Sequence, residues 1–381
     1  MKQQEIRYPL PDFPDQETAK PLDLQPILKM APPLIQWFVQ YHRKLPWRMV
    51  DREKRSHPYQ VWVSEIMLQQ TRVEAVKEYY TRFMREFPTV QALAQAPQQQ
   101  LLKLWEGLGY YSRARNLQKA AQQVVEQWGG ELAPHREMLR KLPGVGSYTS
   151  GAIASIAFGE PVPAVDGNVL RVIARVLDCH RDITRPDTKA AVERCLEQVL
   201  LCEGPARQRP DLFNQALMEL GATVCIPNGA PACERCPVNR FCIGFSRSTA
   251  SSLPVKGVKK PRRVEYRTVA LLRWNGKVAL CQRPSKGLLA GLWELPNLEG
   301  KLSCEQLAQQ LKISPSQVEI AHPLREARHL FTHIQWEMTG WELILADGSV
   351  PPGPENWVWL TPEQQKAYSV PSALRVYREM I

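Results

Sequence analysis

The chain has 381 residues, which allows two domains that each bury a full core. Hydrophobic residues make up 44% and charged residues 23%, an ordinary globular balance that excludes a disordered or fibrous chain. The net charge of +11 favours a polyanionic partner, nucleic acid first, and no apolar run reaches the length that spans a bilayer.

The first thirty residues are proline-rich and mix acids with bases. They have neither the apolar core of a signal peptide nor the Arg-rich, acid-poor bias of a transit peptide. Residues 1–31 therefore read as a loose extension, and a cytoplasmic protein is expected. From residue 32 to about 245 the pattern is helical. Apolar residues recur at three- and four-residue steps over Ala75–Phe87 and Arg113–Trp128. Phe87-Pro88, Ala96-Pro97, Gly129-Gly130 and Pro143-Gly144 punctuate the run, so several short helices joined by tight turns are implied.

Two local patterns in this region bear on chemistry. Glu65 lies in an apolar run (Val61, Trp62, Val63, Ile66, Met67, Leu68), which would raise its pKa if buried; a surface glutamate is the plainer reading. Leu142–Thr149 (LPGVGSYT) places two glycines before a helix that starts near Ser147. Gly144 and Gly146 let the backbone turn and approach another molecule, and free N–H groups at the helix start can hold a phosphate. That arrangement positions a protein on a DNA backbone and reads no sequence. An ordinary inter-helix turn is the alternative.

Cys225, Cys233, Cys236 and Cys242 follow as C-x7-C-x2-C-x5-C within eighteen residues. Clustered thiols in a reducing compartment point to metal ligation rather than disulfides. Zinc usually takes two well-separated close pairs, whereas an iron–sulfur cubane tolerates uneven spacing, so a 4Fe–4S cluster is favoured and zinc stays as the alternative. Cys179, Cys195, Cys202, Cys281 and Cys304 are scattered and read as small core residues.

Residues 246–264 hold serines, prolines and a basic run without apolar period. They read as a linker whose Lys256, Lys259, Lys260, Arg262 and Arg263 can touch phosphate. Beyond it the period shortens. Tyr266–Trp274 and Lys277–Arg283 are strand-like and flank Asn275-Gly276, the strongest short hairpin signal. Ile334–Leu345 and Trp357–Leu360 also predict strands, and Ser303–Leu311 and Ser372–Met380 predict helices. Residues 265–381 are therefore an α+β domain.

These motifs together resemble a known superfamily. LPGVGSYT, VDGNVLRV (Val165–Val172) and the four cysteines are similar to helix-hairpin-helix base-excision DNA glycosylases with an iron–sulfur cluster. VWVSEIMLQQTRVEAV (Val61–Val76), GLGYYSRARNL (Gly107–Leu117) and GLWELP (Gly291–Pro296) narrow the resemblance to adenine DNA glycosylases of the MutY type. The implied fold is an all-α helix-hairpin-helix glycosylase domain with a cluster loop at 225–242, followed by a Nudix-like α+β domain. The sequence departs from the family in three places. The first cysteine gap is seven residues rather than six, the loop after Arg48 is slightly long, and Thr332 replaces a common serine.

The resemblance implies specific roles. Glu65 would protonate the flipped adenine. Asp166, whose plain role is a helix N-cap, would stabilise the sugar cation, with Asn168 orienting both. Tyr148 stands where lyase relatives carry the lysine that forms a Schiff base, which implies a monofunctional enzyme that leaves an abasic site. Arg43, Leu45, Trp47, Arg48 and Gln215 resemble the adenine pocket. Gln70 and Tyr110 would wedge the base stack, with Leu68 and Thr71 beside them. Phe331, Thr332 and His333 would read 8-oxoguanine across from the target. The segment Ser303–Leu311 lacks the glutamate cluster that a Nudix hydrolase needs, so nucleotide hydrolysis is not expected. The implied partner is double-stranded DNA with adenine opposite 8-oxoguanine or guanine, bound by a monomer. Alternative readings are a bifunctional endonuclease III-type glycosylase and lyase, a non-catalytic iron–sulfur DNA-binding protein, and a nucleotide-pool hydrolase.

Overall fold

A computed structural model describes residues 22–48, 55–257, 261–346 and 357–381. Most of the predicted extension, the loop after Arg48, and Lys259 and Lys260 lie outside the described residues. The first body is helical: α1 (Gln25–Tyr41), α2 (Pro58–Leu68), α3 (Val73–Glu86), α4 (Val90–Gln95), α5 (Gln98–Leu104), α6 (Ser112–Trp128), α7 (Arg136–Leu139), α8 (Ser147–Ile153), α9 (Gly167–Val176), α10 (Pro186–Leu201), α11 (Pro205–Gln208), α12 (Pro210–Thr223) and α13 (Ile243–Ser246).

These helices bury two separate cores. One is built on α2 to α8 around Trp62, Phe83 and Trp105. The other joins α1 to α9, α10 and α12 around Phe38, Ile173 and Phe213. The chain thus starts in the second half, crosses to the first and returns. The seam between the halves is where a cavity forms.

Helix α1 starts at Gln25, earlier than the boundary at residue 31 anticipated. Ile27, Met30, Ala31, Leu34 and Phe38 recur at three- and four-residue steps and are buried. Burial of that stripe outweighs the loss of backbone donors at Pro32 and Pro33, both inside the helix.

The second body holds β1 (Arg263–Trp274), β2 (Lys277–Gln282), β3 (Trp293–Glu294), β4 (Asn297–Glu299), α14 (Cys304–Gln310), β5 (Val318–Leu330), β6 (Ile334–Leu345), β7 (Trp357–Leu360), α15 (Pro362–Gln365) and α16 (Arg375–Arg378). The sheet runs β3-β2-β1-β6-β5, with β4 on β1 and β7 on β2. Strand β1 pairs parallel to β6 and antiparallel to β2 and β4. Asn275 and Gly276 turn the β1–β2 hairpin with φ of 47° and 69°, as a type I′ turn requires. Leu307, Ala308 and Ile313 cover one face, and Val370, Leu374 and Tyr377 cover the other. The predicted C-terminal helix is instead a 3-10 turn (Ser372–Leu374) followed by α16. The long strand β5 carried no sequence signal. Among the described residues it pairs only with β6, and it is mostly exposed and contains Pro323, so it lacks apolar alternation.

The segment read as a linker is docked over much of its length. Ala250 and Leu253 are buried, and Leu253 O accepts from Arg175 Nε at 2.9 Å. The two bodies also pack on each other. Leu292 of the second is buried in a core of the first. Arg115 donates to Ala290 O at 2.7 Å, and Glu106 accepts from Lys103 at 2.6 Å and from Arg378 at 2.5 Å.

Truncating Leu292 to Ala removes this apolar anchor. The expected loss is about 2–4 kcal/mol, read as a lower urea midpoint. An unchanged midpoint would show that the anchor contributes nothing to the assembled chain.

Candidate active site

A cavity of about 730 Å³ opens at the seam of the helical body and is lined from both halves. Glu65 reaches it from α2 and Tyr148 from α8, while Asp166 stands at the start of α9. Glu65 is only 6% exposed and accepts a hydrogen bond from Tyr148 Oη at 2.5 Å. Burial pushes its carboxyl up to about 7, opposed by the Tyr148 bond and Arg48 and reinforced by Asp166. Near neutral pH part of the population therefore holds a proton that it can give away.

Asp166 is the N-cap of α9, accepting from Val169 N at 2.8 Å and from Asn168 Nδ2 at 2.7 Å. Burial raises its carboxyl too, although these donors and Arg171 pull it back. Asn168 is held in turn by Arg171, whose Nη2 donates to Asn168 Oδ1 at 2.8 Å. Arg171 also donates to Gly221 O at 2.7 Å and to Cys225 O at 2.8 Å. Gly221 is what lets α12 come this close: a Cβ there would lie 2.6 Å from Asn168 Cβ.

Arg43, Leu45, Trp47, Arg48 and Gln215 line the same cavity, as do Leu68, Gln70 and Thr71 near its mouth. Trp47 is fixed edge-on against Tyr80 at 5.4 Å. Glu219, which sequence reading missed, binds both arginines. Arg43 donates to it from N, Nε and Nη2 at 3.0, 2.7 and 2.9 Å, and Arg48 from Nη1 at 2.9 Å. Burial alone would raise this carboxyl, but the Arg43 bonds and the Arg48 charge hold it down at about 2.

Tyr110 lies outside this cavity and lines a second one, between the two bodies, with Phe331, Thr332 and His333. Its hydroxyl and Thr332 Oγ1 are 2.8 Å apart. Phe331 packs edge-on against Trp336 at 5.0 Å. Gln70 and Tyr110 share a further feature, left-handed φ values of 58° and 49°. Such strain in non-glycine residues needs an outside hold. Arg113 supplies it, a role that nothing in the sequence pattern marks. Its guanidinium donates to Ile66 O, Met67 O and Thr71 Oγ1 on one side and to Leu108 O and Gly109 O on the other. Gly144 and Gly146 line neither cavity. Gly144 has φ of +77°, and Gly146 caps α8 with no side-chain bond.

All four clustered cysteines line one small, largely apolar pocket with Val172, Val176 and Val238. Among the described residues no group of three or more His, Cys, Asp or Glu is placed to hold a metal ion. The donor set nevertheless fits a thiolate-bound metal centre. Burial raises the Cys233, Cys236 and Cys242 thiols, so a cationic centre is needed to deprotonate them, and the buried Arg175 already donates to Cys225 Sγ at 3.2 Å.

Residues 63–198 match the HhH-GPD superfamily of base excision DNA repair proteins, and residues 268–380 match the NUDIX domain. Over 90% of the chain is aligned with an adenine DNA glycosylase of Mus musculus at 37% identity, covering 76% of that protein. The chain belongs to the adenine DNA glycosylase family. A Rattus norvegicus adenine DNA glycosylase is 38% identical over 91% of the chain and 77% of its own length. The solved structure of a thermostable thymine-DNA glycosylase matches with a TM-score of 0.50 at 26% identity, over 58% of this chain and 98% of that one. As a family member, the protein is a monofunctional adenine glycosylase of base excision repair, acting on N-glycosyl bonds in DNA. Among the described residues no helix is long and apolar enough to cross a membrane.

Replacing Arg113 with Met takes the guanidinium from these four carbonyls and the Thr71 hydroxyl, of which Gly109 O keeps a bond from Trp105 Nε1 at 3.1 Å. The variant should lose about 2–4 kcal/mol in urea denaturation and bind duplex DNA more weakly, because neither strained turn is held. Wild-type values for both would show that the turns hold themselves.

Proposed function

We propose that this glycosylase removes adenine paired with 8-oxoguanine, or with guanine, in double-stranded DNA. The observation that carries the mechanism is a protonated-range Glu65 bonded to Tyr148 beside Asp166 in one cavity. The adenine must leave the stack to enter that cavity, with Gln70 and Tyr110 filling the gap and Leu68 and Thr71 beside them. Arg43, Leu45, Trp47, Arg48 and Gln215 then surround the base. Gly144 and Gly146 hold the DNA backbone through main-chain N–H groups.

Glu65 gives its proton to the leaving adenine, and the C1′–N9 bond breaks with its electron pair passing to the base. Positive charge develops on the sugar ring. Asp166, ionised and oriented by Asn168 and the α9 N–H groups, stabilises that charge. Water adds at C1′ and gives up a proton, leaving an abasic site. Tyr148 has no amine to form a Schiff base, so the strand stays whole.

Phe331, Thr332 and His333 contact the lesion opposite, with Tyr110 at their side. The support for this is their shared cavity between the two bodies. Cys225, Cys233, Cys236 and Cys242 would hold a 4Fe–4S cluster, which orders the loop carrying Arg235 and Arg240 against DNA and takes no part in bond cleavage. The enzyme acts as a monomer, in the cytosol, where those thiols stay reduced.

Duplexes with adenine opposite 8-oxoguanine or opposite thymine test the reading. Strand breaks are expected only after hot alkali and only with 8-oxoguanine; breaks without alkali would mean lyase activity. Glu65→Gln should lower single-turnover excision by about 10²–10⁴-fold. Activity should decline as pH rises through about 7, because the proton on Glu65 is then lost. The purified protein should also show cluster absorbance in the visible, and Cys236→Ser should remove it together with part of the DNA affinity. A colourless protein containing stoichiometric zinc would overturn the cluster assignment.

A further inference from the structure

We propose that Glu219 is a positioning residue for base excision: it clamps Arg43 and Arg48 into one wall of the catalytic cavity and keeps the Arg48 charge engaged away from Glu65. The inference rests on Glu65 as the acid of the reaction.

The geometry leaves Arg48 two carboxylates to answer to. Its side chain is 9% exposed and its guanidinium lies 5.3 Å from the centre of the Phe38 ring. A buried guanidinium must be paired. It donates to Glu219 Oε2 at 2.9 Å and, more weakly, to Arg43 O at 3.3 Å. Its field also reaches Glu65, where it favours the carboxylate over the acid. The groups facing Glu65 from the packed elements are Tyr148 on α8, Asp166 at the start of α9 and Arg48 from the loop after α1. From α12 comes neutral Met218, whose Sδ is 3.9 Å from Tyr148 Oη. Arg48 is therefore the one cation in this set, and Glu219 is the group that occupies it.

Glu219 is well built for that task. Its side chain is 1% exposed. It stays ionised at any working pH, and Arg43 grips both of its oxygens. It sits four residues after Gln215 on α12, so one helix face supplies both residues to the cavity. A buried ion pair is weak evidence for stability, since apolar residues of similar volume often serve as well. Its place on the wall of the cavity that holds the acid points to chemistry instead. Without Glu219, the carboxylates left to Arg48 in the cavity are Glu65 and Asp166, and the Arg48 field already reaches Glu65, where pairing would strip the proton that excision needs.

The test uses the full chain and a duplex with adenine opposite 8-oxoguanine, in single turnover at saturating enzyme, across pH. Glu219→Gln keeps the shape and removes the charge. The expected result is a basic limb displaced to lower pH by about one unit, with roughly tenfold slower excision above it, while duplex affinity stays within a few-fold. Glu219→Asp should restore the limb in part, and adding Arg48→Met to Glu219→Gln should bring it back up. A limb that stays in place or rises in Glu219→Gln, or one that the double variant fails to restore, overturns the proposal. Should Glu219→Gln melt below the assay temperature, Glu219→Asp gives the answer. Its limb should move to lower pH by less than in Glu219→Gln, adding Arg48→Met should reverse the move, and no movement counts against the proposal. Wild-type activity in Glu65→Gln would instead remove the acid assignment itself, a result distinct from an inactive Glu65→Gln with an unmoved limb in Glu219→Gln.

Discussion

Two carboxylates taken out of water side by side are the constraint on which the site depends. Burial destabilises each anion, and the Asp166 charge raises Glu65 further, so the Glu65 carboxyl is brought to about 7. The environments then separate the roles. Asp166 receives two N–H donors and sits at a helix N-terminus, all of which favour the anion. Glu65 receives one hydroxyl and lies deeper. The same residue type thus becomes an acid in one place and a charge stabiliser in the other.

The seam architecture makes this pairing possible. Glu65 and Tyr148 belong to the half around Trp62 and Trp105, and Asp166 opens a helix of the half around Phe213. A cavity inside one tightly packed core would have to be carved at the expense of packing, whereas a cavity between two cores needs only that they meet imperfectly. The arginines do the bridging. Arg43 and Arg48 reach from the loop after α1 to α12, and Arg113 spans the turns on either side of it. Each neutralises backbone or carboxylate oxygens that would otherwise be buried unpaired.

Local pattern revealed much of this protein. The Asn275-Gly276 turn, the strands Ile334–Leu345 and Trp357–Leu360 and helix α6 follow directly from turn chemistry and period. Strand β5 and the start of α1 were not legible, for opposite reasons. An exposed edge strand needs no apolar alternation, and a proline-bearing helix is tolerated only because tertiary burial outweighs local preference. Within the site, Glu65, Tyr148, Asp166 and Asn168 stood out through resemblance, since a lone glutamate in an apolar run reads equally well as a surface residue. Glu219 could not be found that way. Its partner Arg43 is 176 residues away, and only the fold joins them.

The brace through Arg171 shows how far the site's rigidity extends. Asp166 is held by Asn168, Asn168 by Arg171, and Arg171 by the carbonyls of Gly221 and Cys225. Cys225 opens the cysteine loop, and Arg175, one turn further along α9, donates to Cys225 Sγ and to Ile226 O. One face of α9 therefore ties the catalytic aspartate to the first cysteine through the partly buried Asn168 and the buried Arg171 and Arg175. Hydrogen bonds of this kind are geometrically strict, so a shift of the cysteine loop has few ways to be absorbed before it reaches Asn168. A loop that contributes nothing to bond cleavage can still fix where the aspartate stands, because a displacement of about 1 Å in a reacting group is enough to slow catalysis by about 10²-fold.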